Sequence, residues 1–213
     1  MTLRFPRALI LGLCVVAPIV NAAPDAGIAL APHIAPMFEK GRTWVFDTAF
    51  TSWKTDVEKA TARAKVTCKV VSVTPSKRFV LSHVTCSKLD VLGRKFPVPG
   101  YYVGTAAGLW YLPANDDKEP TADDIHSRLA EPPTIASAPK PFEKVSKDSI
   151  ESRPYIDGLR PSAKGDGWCV YSDTSKLADG GHTSLCYLNG IGIESGFDDV
   201  GGELARLEYT ARR

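Results

Sequence analysis

From Gly41 to Trp53 the chain alternates strictly. Trp44, Phe46, Thr48 and Phe50 fall on one face; Val45, Asp47, Ala49 and Thr51 fall on the other. A period of two predicts a half-buried β-strand, here with its aromatic face inward. "KTDVEK" then reads as a loop, and Ala62 to Val73 as the returning strand. Val66–Thr74 and Phe79–Ser87 are rich in Val, Thr and Phe and flank "PSKR", so they read as a hairpin. "VLGRKFPVPG" is a second loop. "YYVGTAAGLWYL", Tyr101 to Leu112, reads as strand, tight turn at "AAG" and strand, with Gly108 suited to a positive φ and an aromatic on each face of each strand.

The pattern breaks between Pro113 and Lys147. Six prolines and many small or charged residues predict an extended loop lying across the sheet. One short helix is expected at "TADDIHSRLA", where Thr121 and Asp124 form a capping box and Ile125 and Leu129 share a face. Strand patterns return at Gly167–Asp173, His182–Asn189, a short "IGIES" and Leu204–Ala211, punctuated by Gly-rich "NGIGIESG" and "DDVGG". The sum is a mainly β protein: an antiparallel curved sheet, open barrel or sandwich of about eight or nine strands. Residues 23–40, which contain three prolines, form an extended lead-in to a single β domain over 41–213.

The first residues carry a different signal. Arg4 and Arg7 precede an apolar run from Ala8 to Val20, and Val20-Asn21-Ala22 fits a cleavage site. Residues 1–22 therefore read as a secretory signal peptide. The run is shorter than the roughly 20 residues of a membrane anchor, and no later stretch approaches that length, so the mature chain has no expected transmembrane segment. Cleavage removes Arg4 and Arg7 from 26 basic side chains, leaving 24 against 24 acidic ones. Nucleic-acid binding needs clustered Lys and Arg, and none occurs.

Cleavage also removes Cys14. The four remaining cysteines, Cys68, Cys86, Cys169 and Cys186, read as two disulfides in an oxidising compartment. Spacing selects the pairing. Joining Cys68 to Cys86 centres the hairpin on Lys77, inside "PSKR", and places Val70 opposite Val84 and His83 opposite Val71. Joining Cys169 to Cys186 centres the second hairpin between Leu177 and Ala178, inside "SKLADGG". Each bond closes a loop of roughly 17–18 residues, worth on the order of 3 kcal/mol in the loop-entropy model. His83 and His182 could complete a Cys2His2 zinc set on paper, but no short Cys-x2–4-Cys knuckle is present.

Candidate chemistry is sparse. In the second hairpin Asp173 falls opposite His182, with Ser184 two residues away on the same face, the parts of a hydrolase site. No nucleophile-elbow pattern or oxyanion-hole signal accompanies them. "FDDVGGE" offers Asp198, Asp199 and Glu203 on a turn, short of the six or more oxygens that calcium takes. Tyr102, Trp110 and Tyr111 raise carbohydrate stacking, against which core packing is the plain explanation. His33 and His126 have no partner in sequence. No cofactor motif occurs. The expectation is an exported, non-catalytic protein of bacterial-type envelope or secreted character that binds a hydrophobic small molecule or an envelope protein. A hydrolase and a carbohydrate-binding module are the alternatives.

Overall fold

The computed structural model describes residues 27–53, 59–87, 90–91, 94–113, 118–149, 152–177, 180–200 and 205–212. The expected signal peptide, the "KTDVEK" loop up to Glu58 and Glu203 lie outside the described residues.

The protein is mainly β, and twelve strands form one antiparallel sheet. In chain order they are β1 (Thr43–Trp53), β2 (Lys59–Pro75), β3 (Val80–Cys86), β6 (Gly100–Gly104), β7 (Gly108–Pro113), β8 (Ile135–Ala136), β9 (Phe142–Lys147), β10 (Pro154–Pro161), β11 (Gly167–Asp173), β12 (Gly181–Leu188), β13 (Gly192–Val200) and β14 (Ala205–Ala211). A separate ribbon joins β4 (Asp90–Val91) to β5 (Arg94–Lys95). The order is β8-β7-β6-β3-β2-β1-β14-β13-β12-β11-β10-β9. β1 is therefore central, paired with β2 on one side and with β14 on the other.

This order forces curvature. β8 and β9 are the two edges of the sheet, yet only residues 137–141 separate them in sequence. Laid flat, twelve strands at about 4.8 Å spacing would part those edges by about 50 Å. The link from Ala136 to Phe142 reaches about 20 Å at full extension. The sheet must curl into an incompletely closed barrel. One continuous core confirms it, since Ile135 of β8, Tyr102 of β6, Phe46 of β1, Tyr187 of β12 and Leu159 of β10 all belong to it.

Two segments fill the interior. Residues 28–38 pack there: Ile34, Met37 and Phe38 are buried, and a 3-10 turn spans Ala35–Phe38. The lead-in is thus a core element and not a tail. His33 Nε2 bonds the Ala136 carbonyl at 3.1 Å, and Trp44 Nε1 donates to the Ile191 carbonyl at 2.7 Å. The second segment follows β5. Phe96 meets Phe46 and Tyr209 edge-on at 5.6 and 5.1 Å between centroids. The hydroxyls of Tyr102 and Tyr111 donate to the carbonyls of Val98 and Pro99 at 2.6 and 2.8 Å.

Helix α1 (Ala122–Leu129) lies outside the barrel. The Thr121/Asp124 capping box forms, and Ile125 packs with Leu81, Tyr101, Val103, Trp110 and Leu112 into a second cluster. Two strand positions leave space for tyrosine rings. Gly158 faces Tyr171 and Gly196 faces Tyr209, and in each case an added Cβ would meet the ring within 2.5 Å.

Both disulfides form, Cys68–Cys86 and Cys169–Cys186, each between directly paired residues. Bonds of this kind suit an oxidising environment. Val70 faces Val84 as expected, but a bulge after Val70 moves His83 opposite Ser72 and not Val71.

Other expectations need correction. Among the described residues the main sheet holds twelve strands where eight or nine were expected, and the β4–β5 ribbon is the one other sheet. β8 and β9 arise inside the Pro113–Lys147 stretch where loop was expected, and β10 follows in a stretch given no element. β13 runs through Gly196–Val200, where "DDVGG" suggested a turn. Gly108 has no positive φ; it begins β7, and a Cβ there would lie 2.5 Å from the Ile135 carbonyl of β8.

Candidate functional site

β11 and β12 bring two of the three hydrolase candidates together. Asp173 and His182 are direct cross-strand partners, and His182 Nδ1 lies 3.3 Å from Asp173 Oδ1. The backbone and side chain of Ser175 hydrogen-bond the Asp173 carboxylate and, with help from His182, hold it below the usual carboxylate range. Ser184 stands apart from this pair. It faces Tyr171, is 7% exposed, and among the described residues no hydrogen bond joins it to His182. It lines an outer groove of about 550 Å³ with Ser195, Lys164 and the Cys169–Cys186 bond. The opposite neighbour of His182 is Asp199, which pairs with Arg206 at 2.6 Å. The arrangement is a row of polar side chains across β11, β12, β13 and β14, in which Asp199 and Arg206 form an ion pair and His182 lies beside Asp173. Among the described residues no hydroxyl or thiol is hydrogen-bonded to His182.

The acidic candidates separate. Asp198 and Asp199 are consecutive residues of a strand, so their side chains leave opposite faces of the sheet. Asp198 pairs with buried Leu207 on the inner side, and Asp199 with Arg206 on the outer side. Among the described residues no group of three or more His, Cys, Asp or Glu side chains is placed to hold a metal ion.

The aromatic candidates are structural in their bonding. Tyr102 is 1% exposed, and Trp110 is buried with its Nε1 donating to the Glu131 carbonyl at 2.9 Å. Tyr111 is half-buried. Burial pushes the Tyr111 hydroxyl up to about 12 and raises those of Tyr102, Tyr187 and Tyr209 as well. These phenols stay protonated at any physiological pH, and those of Tyr102 and Tyr111 donate to backbone carbonyls. Tyr111 also borders a groove of about 750 Å³ between α1 and β7, with Tyr101, Leu112, Pro113 and Arg128.

Two features escaped the sequence. Glu194 is the extra residue of a bulge: Cys186 pairs with Ser195, and Tyr187 with Ile193. The bulge buries the Glu194 carboxylate to 3% exposure, with Lys164 Nζ 3.7 Å away. The second feature is β9. All but one of its six residues are exposed, and among the described residues it pairs only with β10 and ends the sheet. Phe142 is 53% exposed and Val145 63%, the most exposed large apolar side chains among the described residues. A signal existed in "FEKVSK", but the segment sits among prolines and has polar residues on both faces, so no amphipathic strand pattern marks it.

No protein-family model matches the chain, and neither does any curated protein. No described helix is long and apolar enough to cross a membrane.

Proposed function

We propose that the protein is exported and acts without catalysis, by binding a protein partner along the open edge of β9. One observation carries the reading. An unpaired strand edge offers backbone donors and acceptors that a second strand can complete, and β9 couples that edge to exposed Phe142 and Val145. Export rests on Arg4, Arg7 and the Ala8–Val20 run, together with two disulfides. Periplasm and exterior both satisfy it. The groove beside α1, walled by Tyr101, Tyr111 and Leu112, favours a second reading in which an apolar small molecule is the ligand.

Photo-crosslinking tests the main reading. A benzophenone side chain at position 145, introduced in exporting cells, is expected to give a discrete protein adduct. The same group at exposed position 63, on the outer face of β2, serves as the control. Equal labelling at both positions, or none at 145, would remove the reading.

A further inference from the structure

The charge order along β9 selects its occupant. Glu143, Val145 and Lys147 share the outer face, reading negative, apolar, positive. A second β9 laid antiparallel presents the same row reversed, so each charge meets its opposite. We propose that two copies of this chain pair antiparallel through β9, with Val145 on the twofold axis and Glu143 of each copy facing Lys147 of the other. The inference rests on β9 being the docking edge and names the partner.

Four observations support this pairing. First, it fixes a register. Slipping by one residue removes both ion pairs, and the register centred on Lys144 sets that lysine against itself. Like charges directly opposite disfavour a pairing. In the proposed register Lys144 meets Ser146 of the second copy. Second, Glu143 is already held in place, because the Tyr171 hydroxyl donates to its Oε2 at 2.9 Å. Third, the edge has room. Phe142 and Lys144 sit on the inner face, opposite Leu159 and Asp157, yet both are exposed, so β9 stands clear of the barrel interior. Fourth, among the described residues no strand pairs with this edge. Pro139 and Pro141 lie in the link from β8 and lack the amide hydrogens a hairpin would use.

A six-residue ribbon buries less than the roughly 800 Å² per partner of a standard stable interface. The association is therefore reversible and concentration-dependent. Sedimentation velocity on the disulfide-intact protein, from about 1 μM to about 1 mM, is expected to show a dimer fraction that rises with concentration and falls with added salt. Glu143→Lys and Lys147→Glu each place like charges opposite each other, and each should raise the dissociation constant at least about tenfold. Mixing the two variants restores complementary rows, so the mixture should form a heterodimer that neither variant alone can match. Both sites are exposed, and circular dichroism checks that the fold is kept. A monomer at every concentration, or variants that dimerise like the parent, or a mixture that stays monomeric, overturns the inference. If the position-145 crosslink then falls on a different protein, the docking edge stands and only the self-pairing fails. If it is absent, both fail.

Discussion

The hydroxyl of Tyr171 on β11 donates to Glu143 on β9, 2.9 Å away, passing over the strand between them. It can do so because Gly158 of β10 leaves the path open: a Cβ there would lie 2.2 Å from the ring. Arg160 sits 5.0 Å from the same ring. The edge strand is thus held by its ladder to β10 and by one side chain reaching across it. Gly158→Ala should displace the ring and release Glu143. The expected result is faster amide hydrogen exchange in β9 and β10, with little change in β1 and β2. Tyr171→Phe, which keeps the ring, should show a smaller form of the same effect. Unchanged exchange in β9 for both variants would mean that the ladder alone holds the edge.

The lead-in is integral to the barrel. Phe38 lies over Gly104, where a Cβ would come within 2.6 Å of its ring, and Met37 lies beside Gly192. Phe38→Ala should cost about 3–5 kcal/mol by loss of burial and creation of a cavity. Deleting residues 27–41 should abolish cooperative unfolding. Chemical denaturation followed by tryptophan fluorescence measures both.

His33 gives the stability a pH dependence. It is 3% exposed, and burial lowers its affinity for a proton below the ordinary 6.5, against smaller opposing contributions from the Ala136 carbonyl and Asp166. The unfolded chain therefore takes up the proton first as pH falls. Stability should be full above about 6.5 and decline as pH drops through that value towards the lower native one. Melting at pH 8 and pH 5 with the parent and His33→Gln checks this: the glutamine can still donate to Ala136, and its curve should be flatter. Equal slopes would count against His33 as the source.

The two disulfides sit in different surroundings. Cys68 is wholly buried in the main core, whereas Cys169 and Cys186 line an outer groove. Replacing Cys169 and Cys186 together by alanine should cost on the order of 3 kcal/mol, the loop-entropy contribution. Replacing Cys68 and Cys86 should cost more, because core packing is lost too. Non-reducing peptide maps should show only the two hairpin linkages, and equilibrium unfolding of the double variants should rank them in this order.

The proposed export signal in residues 1–22 predicts that intact mass of protein recovered outside the cytosol places the new N-terminus at Ala23. Retention of the full chain in the cytosol, with free thiols, would contradict it.

Local rules were enough to read β1, the two cysteine hairpins, the β6–β7 hairpin and the capped helix. Each is specified by neighbours in sequence: alternation for Trp44 to Phe50, paired spacing for the cysteines, reciprocal caps for Thr121 and Asp124. Asp173 facing His182 was legible for the same reason. β9 and β10 were not. An exposed edge strand needs no apolar face, so "FEKVSK" lacks the period that marks a strand. The bulges at Val71 and Glu194 also left no local mark, because the partner strand decides where an extra residue goes.

What the chain determined alone was its β character and its disulfide pairing, since these depend on periodicity and spacing. Only the tertiary structure decided that the main sheet has twelve strands, that the lead-in fills it, and that β9 is its edge. Those outcomes depend on which distant strands meet. A link of five residues between opposite edges constrains the fold only once those edges are known to be the first and last of one sheet.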